Sequence, residues 1–167
     1  MTTVEPPQGE RIRQVVRADL LDVLRIERAV FEYPWDLGSF ERFLDAPGFL
    51  VMEDVVPERE VGGDVAGYVV ATVIESTRRP IGHVKDLAVK PDRQGEGRGR
   101  LLLEHSIAAL AAQGATEVRL EVRPSNERAI QLYRRHGFGR DRVKPEYYPD
   151  GEDALVFTRS FGDRDRF

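Results

Sequence analysis

The sequence has no cysteine, which excludes disulfides and thiolate-bound metals and agrees with a reducing, cytoplasmic setting. Lysine is almost missing too. Of 25 basic residues only Lys85, Lys90 and Lys144 are lysines, and the other 22 are arginines. Arginine suits bidentate phosphate binding, but a GC-rich genome gives the same bias, so the count alone assigns nothing. No apolar run approaches the roughly 20 residues that cross a bilayer. The opening "MTTVEPPQGE" lacks the basic and apolar regions of a secretory signal and reads as a tail. A net charge of −4 argues against a general nucleic-acid binder. His83, His105 and His136 are scattered, without metal-ligand spacing.

What is present is the patterning of a soluble domain: 41% hydrophobic and 32% charged residues over a length that suits one core. Residues 11–17 read as a strand. Residues 18–31 carry a helical stripe that includes Glu27, with Asp19 as the expected N-cap. A second helix is predicted over 37–46, and strands over 48–54, 65–76 and 82–91. In the last of these, strict alternation places Val84, Asp86 and Ala88 on one face and His83, Lys85, Leu87 and Val89 on the other. A helix follows over 99–114, stopped by Gly114. Then come a strand over 116–124, a helix over 125–138 and two strands flanking "YYPDGED" at 147–153. The order β-α-α-β-β-β-α-β-α-β-β predicts one mixed α/β domain over 11–160, with tails at 1–10 and 161–167.

The segment "PDRQGEGRGRLLLEHSI" (91–107) places Gly95, Gly97 and Gly99 between a strand and a helix start. Backbone N–H groups at a helix N-terminus lack internal partners and carry positive potential, so this is a physical description of an anion site. It is not a P-loop, because Gly99 is followed by Arg100 and Leu101. It is not the dinucleotide fingerprint, because Arg100 and Leu102 stand where that pattern needs glycine. The remaining pattern, Gln94-x-x-Gly97-x-Gly99, resembles the acetyl-CoA signature of the GNAT N-acetyltransferases. "LEVRPSNERAIQLYRRHGF" (120–138), "YYPDGEDA" (147–154) and "FEYPW" (31–35) resemble the RimI-type and archaeal N-terminal acetyltransferases, and the resemblance spans about residues 11–160.

The resemblance implies a twisted mixed sheet of about seven strands with about four helices and two splayed central strands. The cofactor arm enters the splay from one side and an acceptor peptide from the other. Acetyl-CoA is the implied co-substrate, with no metal, and the acceptor is a protein N-terminus, with a ribosomal or auxiliary partner and neither nucleic acid nor membrane. Glu121 and Tyr133, 12 residues apart, match the family's base and acid. The chemistry is consistent. A peptide α-amine near pKa 7.7–8.0 needs little help to lose its proton, whereas lysine near 10.4 needs much more. Tyrosine suits donation to a leaving thiolate. Implied cofactor contacts are the strand Leu87, Ala88 and Val89, the backbone of Gln94, Gly95, Glu96, Gly97, Arg98, Gly99 and Arg100, and also Asn126 and Tyr133. Asn126 suits a helix cap equally well, and Arg93 is an option for a CoA phosphate. The implied acceptor contacts are Phe31, Glu32, Tyr33, Trp35, Tyr147 and Tyr148, with only one of the two adjacent tyrosines facing the substrate if both lie on a strand. His83, beside the cofactor strand, is a secondary base candidate. Two other functions fit the same fold: acetyl transfer to lysine or a small amine, and a non-catalytic acyl-CoA-binding regulator.

Overall fold

The computed structural model describes residues 5–6, 8–58, 62–74 and 78–161. Their elements run β1 (Glu10–Gln14), α1 (Leu20–Val30), α2 (Leu37–Glu41), β2 (Gly48–Asp54), β3 (Val65–Ile74), β4 (Ile81–Val89), α3 (Arg98–Ala112), β5 (Glu117–Val122), α4 (Glu127–Arg135), β6 (Gly139–Lys144) and β7 (Ala154–Ser160). They form one sheet in the order β1-β2-β3-β4-β5-β7-β6. Every neighbouring pair is antiparallel except β4 and β5. That parallel pair needs a crossover, which α3 supplies by packing its apolar stripe of Leu102, Leu103, Ile107 and Leu110 on the sheet.

The sheet separates two cores. α3 and α4 cover one face, against Leu50, Met52, Val69, Val84, Leu120 and Phe157. α1 and α2 cover the other, against Phe49, Val51, Tyr68, Val70 and Ala88. Two-sided burial explains why β2 and β3 read as continuous apolar runs rather than alternating ones.

Three local expectations are corrected. The second helix ends at Glu41, and 42–46 continue as turns closed by Phe43 N–H to Phe40 O (3.0 Å) and Ala46 N–H to Phe43 O (2.9 Å). Asp19 does not cap α1. Its carboxylate takes the Arg13 guanidinium at 2.8 Å through both oxygens and the Val16 N–H at 2.8 Å, and a charge-assisted fork outcompetes a neutral cap. β1 begins at Glu10, inside the predicted tail. Residues 1–4, 7, 75–77 and 162–167 of the predicted tails and strand end lie outside the described residues.

The fourth correction shapes the site. Val70 pairs with Asp86 but Ala71 pairs with Val84, so Lys85 is an extra residue in β4. Such a bulge breaks the alternation. Val84, Leu87 and Val89 therefore pack in the α3/α4 core, while Ala88 packs in the α1/α2 core. Val84 and Ala88 do not share a face, and Asp86 turns toward α1.

Candidate active site

β4 and β5 are paired only from Ile81↔Glu117 to Val84↔Leu120. Beyond the bulge at Lys85 they diverge, and the edge of β4 from Leu87 to Val89 is left without a partner on the β5 side. The bulge thus opens a slot at the middle of the sheet, with the glycine loop at its end. Gly95 and Gly97 have φ of +84° and +85°, and Gly97 immediately precedes α3. Only glycine takes this conformation without strain. Nothing lies within 4 Å of the space a Gly97 side chain would fill. The N–H groups of Arg98, Gly99 and Arg100 are the first of α3 and have no intrahelical acceptors. Orphan donors at a helix N-terminus behind an uncrowded glycine are the features an anion cradle needs.

The loop's own arginines do not supply the charge. Arg93 is held by Glu10 (2.9 Å) and Asp54 (2.8 Å), so it is not available as a CoA phosphate ligand. Arg98 is buried, bonded to Glu10 at 2.7 Å and to the Arg93 carbonyl at 2.9 Å. Both fix the loop to β1, and only the backbone of Arg98 can face an anion. Gln94 uses its side chain on the Val89 carbonyl at 2.9 Å. Glu96 and Arg100 are exposed, in loose pairs with Arg98 (3.4 Å) and Glu104 (3.8 Å). Asn126 is the N-cap of α4, accepting from Ala129 N–H at 3.1 Å. A cation from another element also reaches the loop: an Arg128 Nη of α4 lies 3.7 Å from the position of a Gly95 Cβ.

On the α1/α2 side of the slot Glu121 is 8% exposed, held between His83 and Lys144. Oε2 lies 2.6 Å from His83 Nε2, and Oε1 accepts from Lys144 Nζ at 2.8 Å. Burial alone would raise the Glu121 pKa, but the two hydrogen bonds and their charges win and hold it at about 2. With Glu121 ionised, the proton in the short contact belongs to His83 Nε2. Its Nδ1 is buried and has no hydrogen-bond partner among the described residues.

Tyr147 and Tyr148 lie in the turn before β7 rather than on a strand, so they do not point to opposite faces. Their rings meet edge to face at 5.0 Å. Tyr147 is about half-exposed beside Lys144 Nζ (5.3 Å from the ring), and Tyr148 lies under the Arg123 guanidinium at 3.9 Å. Arg123 also binds Asp150 and Glu152 at 2.8 Å, which straps the turn to the end of β5. Burial, then Tyr147, pushes the Tyr148 phenol up to about 12. Tyr133 is buried in α4 against Phe138, with ring centres 6.0 Å apart. Burial raises its pKa, and the nearby Asp86 and Tyr148 add to the shift. Tyr133 thus lies within electrostatic reach of Asp86 and Tyr148, and Tyr147 and Tyr148 within reach of Glu121.

The wall facing α1 holds a polar cluster with no counterpart among the expected residues. The Tyr68 hydroxyl contacts Glu27 Oε2 and lies 3.1 Å from Asp86 Oδ2. Asp86 Oδ1 accepts from Leu87 N–H at 3.0 Å, and Glu27 Oε1 accepts from Trp35 N–H at 2.8 Å. One phenolic proton cannot serve two acceptors, and adjacent buried carboxylates repel, so the cluster holds one more proton. Burial, then the Glu27 charge, pushes Asp86 well above the usual carboxylate range. Through Trp35 N–H this cluster anchors the 31–35 segment. Within that segment Trp35 packs on Phe40 (5.3 Å) and Phe43 (5.9 Å) and Phe31 packs against the same core, whereas Glu32 and Tyr33 are exposed. Trp35 is thus a packing residue, and Tyr33 is the free aromatic. A glutamate within the apolar stripe of α1 was the one sequence signal for this cluster. Lys144 and Asp86 gave none.

Residues 20–138 match the model of the acetyltransferase (GNAT) family. The chain is 34% identical over 157 residues to the [ribosomal protein bS18]-alanine N-acetyltransferase of Escherichia coli strain K12, covering 88% of this chain and 95% of that protein. It is 39% identical over 172 residues to an N-alpha-acetyltransferase of Sulfurisphaera tokodaii, covering 95% and 98%. The crystal structure of the ribosomal-protein-S18-alanine N-acetyltransferase from Escherichia coli superposes with a TM-score of 0.74 at 29% identity, over 92% of this chain and 97% of that one.

Proposed function

This chain belongs to the acetyltransferase (GNAT) family, and from that premise we propose that it moves the acetyl group of acetyl-CoA to the N-terminal α-amine of a protein, by direct attack in a ternary complex. The observation that carries the reading is Glu121, an ionised carboxylate already seating an ammonium at the edge of the β4/β5 slot. The relatives' names supply the acceptor class, an N-terminal alanine of a ribosomal protein in one case. Such an acceptor supports a cytoplasmic site of action and a ribosomal partner.

Each part of the site has a task. The N–H groups at the start of α3 bind the pyrophosphate. The free edge of β4, Leu87 to Val89, runs beside the pantetheine amides. Acetyl-CoA bound there supplies the activated acetyl group. The acceptor arrives as an ammonium and pairs with Glu121 Oε1. Burial favours passing the proton from ammonium to carboxylate and the hydrogen bond from His83 opposes it, so Glu121 holds that proton only transiently while the amine attacks. His83 Nε2–H holds the other oxygen in place, and Nδ1 is a second proton-accepting atom. The free amine attacks the thioester carbon, and the Tyr133 hydroxyl hydrogen-bonds the departing sulfur. Tyr33, Tyr147 and Tyr148 border the acceptor's entrance, and the Arg123 strap fixes the last two.

The test uses peptides with alanine, serine or threonine first, their α-amines free or blocked, followed by tandem mass spectrometry. Acetyl groups are expected on free α-amines, and blocking should abolish transfer even where lysines remain. Modification chiefly of lysine ε-amines would replace this reading with a lysine acetyltransferase. Acetyl-CoA binding without turnover would replace it with a regulator.

A further inference from the structure

Lys144 raises a question that the acetyl-transfer reading leaves open. It lies at the end of β6, and its ammonium is 2.8 Å from Glu121 Oε1 and 5.3 Å from the centre of the Tyr147 ring. An ammonium on a carboxylate beside an aromatic ring is the arrangement an arriving acceptor amine must find. Here the chain fills it with its own side chain. Lys144 is 36% exposed, so it reaches the carboxylate from the peptide entrance rather than from the core.

We propose that Lys144 occupies the acceptor-amine subsite of the free protein, and that with acetyl-CoA bound and no acceptor present it is itself acetylated, whereas an acceptor peptide displaces and protects it. The inference rests on the acetyltransferase reading, with Glu121 as the carboxylate that meets the amine.

The step balances without a further reagent. The Lys144 ammonium gives one proton to Glu121, and the neutral nitrogen forms a C–N bond to the acetyl carbon. The C–S bond then breaks with its electron pair on sulfur. The nitrogen sheds a second proton; one proton ends on the sulfur and the other is released to water. The product amide carries no charge. It leaves Glu121 paired with His83 alone and takes the Lys144 side chain off the acceptor's place for good. The groups facing Lys144 are Glu121 on β5 with His83 of β4 behind it, and Tyr147 with Tyr148 in the turn before β7. Among them only Glu121 carries a negative charge at neutral pH. The self-reaction is slower than transfer to a peptide, because a lysine ordinarily keeps its proton to about 10.4 and an α-amine only to about 7.7–8.0.

The other two lysines are internal references. Lys85 lies over the Phe43 ring (5.4 Å), and Lys90 pairs with Asp64 (3.1 Å), neither of them at Glu121. The full chain is incubated with acetyl-CoA alone, at several pH values from neutral to about 9, and mapped by peptide mass spectrometry. The expected result is acetylation of Lys144 at least tenfold faster than of Lys85 or Lys90, accelerating as pH rises. Saturating alanine-first peptide should slow it at least tenfold, and Glu121→Gln should reduce it toward the rate of the references. Lys144→Met should lower the acceptor KM several-fold, because nothing then has to be displaced. Lys144 reacting no faster than the references, or at a rate indifferent to the peptide, overturns the proposal. Peptide turnover in the same samples separates the two ideas. Turnover without Lys144 acetylation sinks only this inference, and no turnover of any peptide sinks the acetyltransferase reading along with it.

Discussion

Replacing Glu121 by glutamine keeps the side chain's shape and removes the one negative charge between His83 and Lys144. Lys144 can turn to water and the amide still hydrogen-bonds His83, so the loss of stability is expected to stay within about 1–3 kcal/mol. The kinetic effect depends on pH in a way that can be worked out. A peptide α-amine titrates at about 7.7–8.0, so at about pH 6.5 it lies about 1.2–1.5 units on its protonated side. At about 1.36 kcal/mol per unit, freeing the amine there costs roughly 1.6–2.0 kcal/mol, a factor of about 16–32. By about pH 9.5 the amine is neutral without help. Glu121 itself, held at about 2, stays ionised across the whole range. The variant is therefore expected to be slowest relative to wild type at the acid end, by about 10²–10⁴-fold. The defect should then shrink by about 16–32-fold toward pH 9.5. Initial rates of CoA release with an alanine-first peptide and saturating acetyl-CoA measure the ratio directly. A ratio that stays constant across the range, or a variant within threefold of wild type at the acid end, would refute the assignment of Glu121 as the group that takes the amine's proton.

The cofactor loop, the acid, the polar cluster and the acid limb of stability give four more tests. Gly97→Glu forces a side chain into a backbone with φ +85° directly before α3, and calorimetry is expected to show acetyl-CoA affinity at least tenfold weaker in a folded protein; near-native affinity would move the pyrophosphate elsewhere. Tyr133→Phe deletes only a hydroxyl, so acetyl-CoA binding should hold while kcat falls about 10²–10⁴-fold under conditions where chemistry limits the rate; wild-type turnover would leave protonation of the thiolate to water. Glu27→Gln alters the group that fixes Trp35 N–H and shares a proton with Tyr68 and Asp86, and should raise the acceptor KM more than the acetyl-CoA KM. Unchanged KM values would confine that cluster to the core. Glu53, paired with Arg13 and Arg11, is held at about 2 against an ordinary 4.5, chiefly by Arg13. A depressed folded pKa gives stability that is present above 4.5 and lost as pH falls toward 2, so the urea midpoint should drop through that window, and less steeply in Glu53→Gln.

The chain's own residue pattern determined the element order, because apolar periodicity, glycine stops and the strand–glycine–helix transition are local properties of the chain. It also marked the glycine loop before α3 as a candidate anion cradle, and the direction of Glu121, opposite to Leu120 and Val122 on a regular strand. Three features were decided only by the tertiary structure. The bulge at Lys85 comes from the pairing of β4 with β3, and no residue in "GHVKDLAV" announces it, yet it opens the slot and turns Asp86 toward Glu27. The fate of the arginines is likewise non-local: Arg93 and Arg98 look like phosphate ligands until β1 brings Glu10 to them, while Arg128 reaches the loop from α4. Lys144 meets Glu121 because β7 lies between β5 and β6 in the sheet and the turn before it folds back toward the slot. Charges settle on whichever opposite charge the fold brings within about 3 Å, and chain separation says little about which one that is.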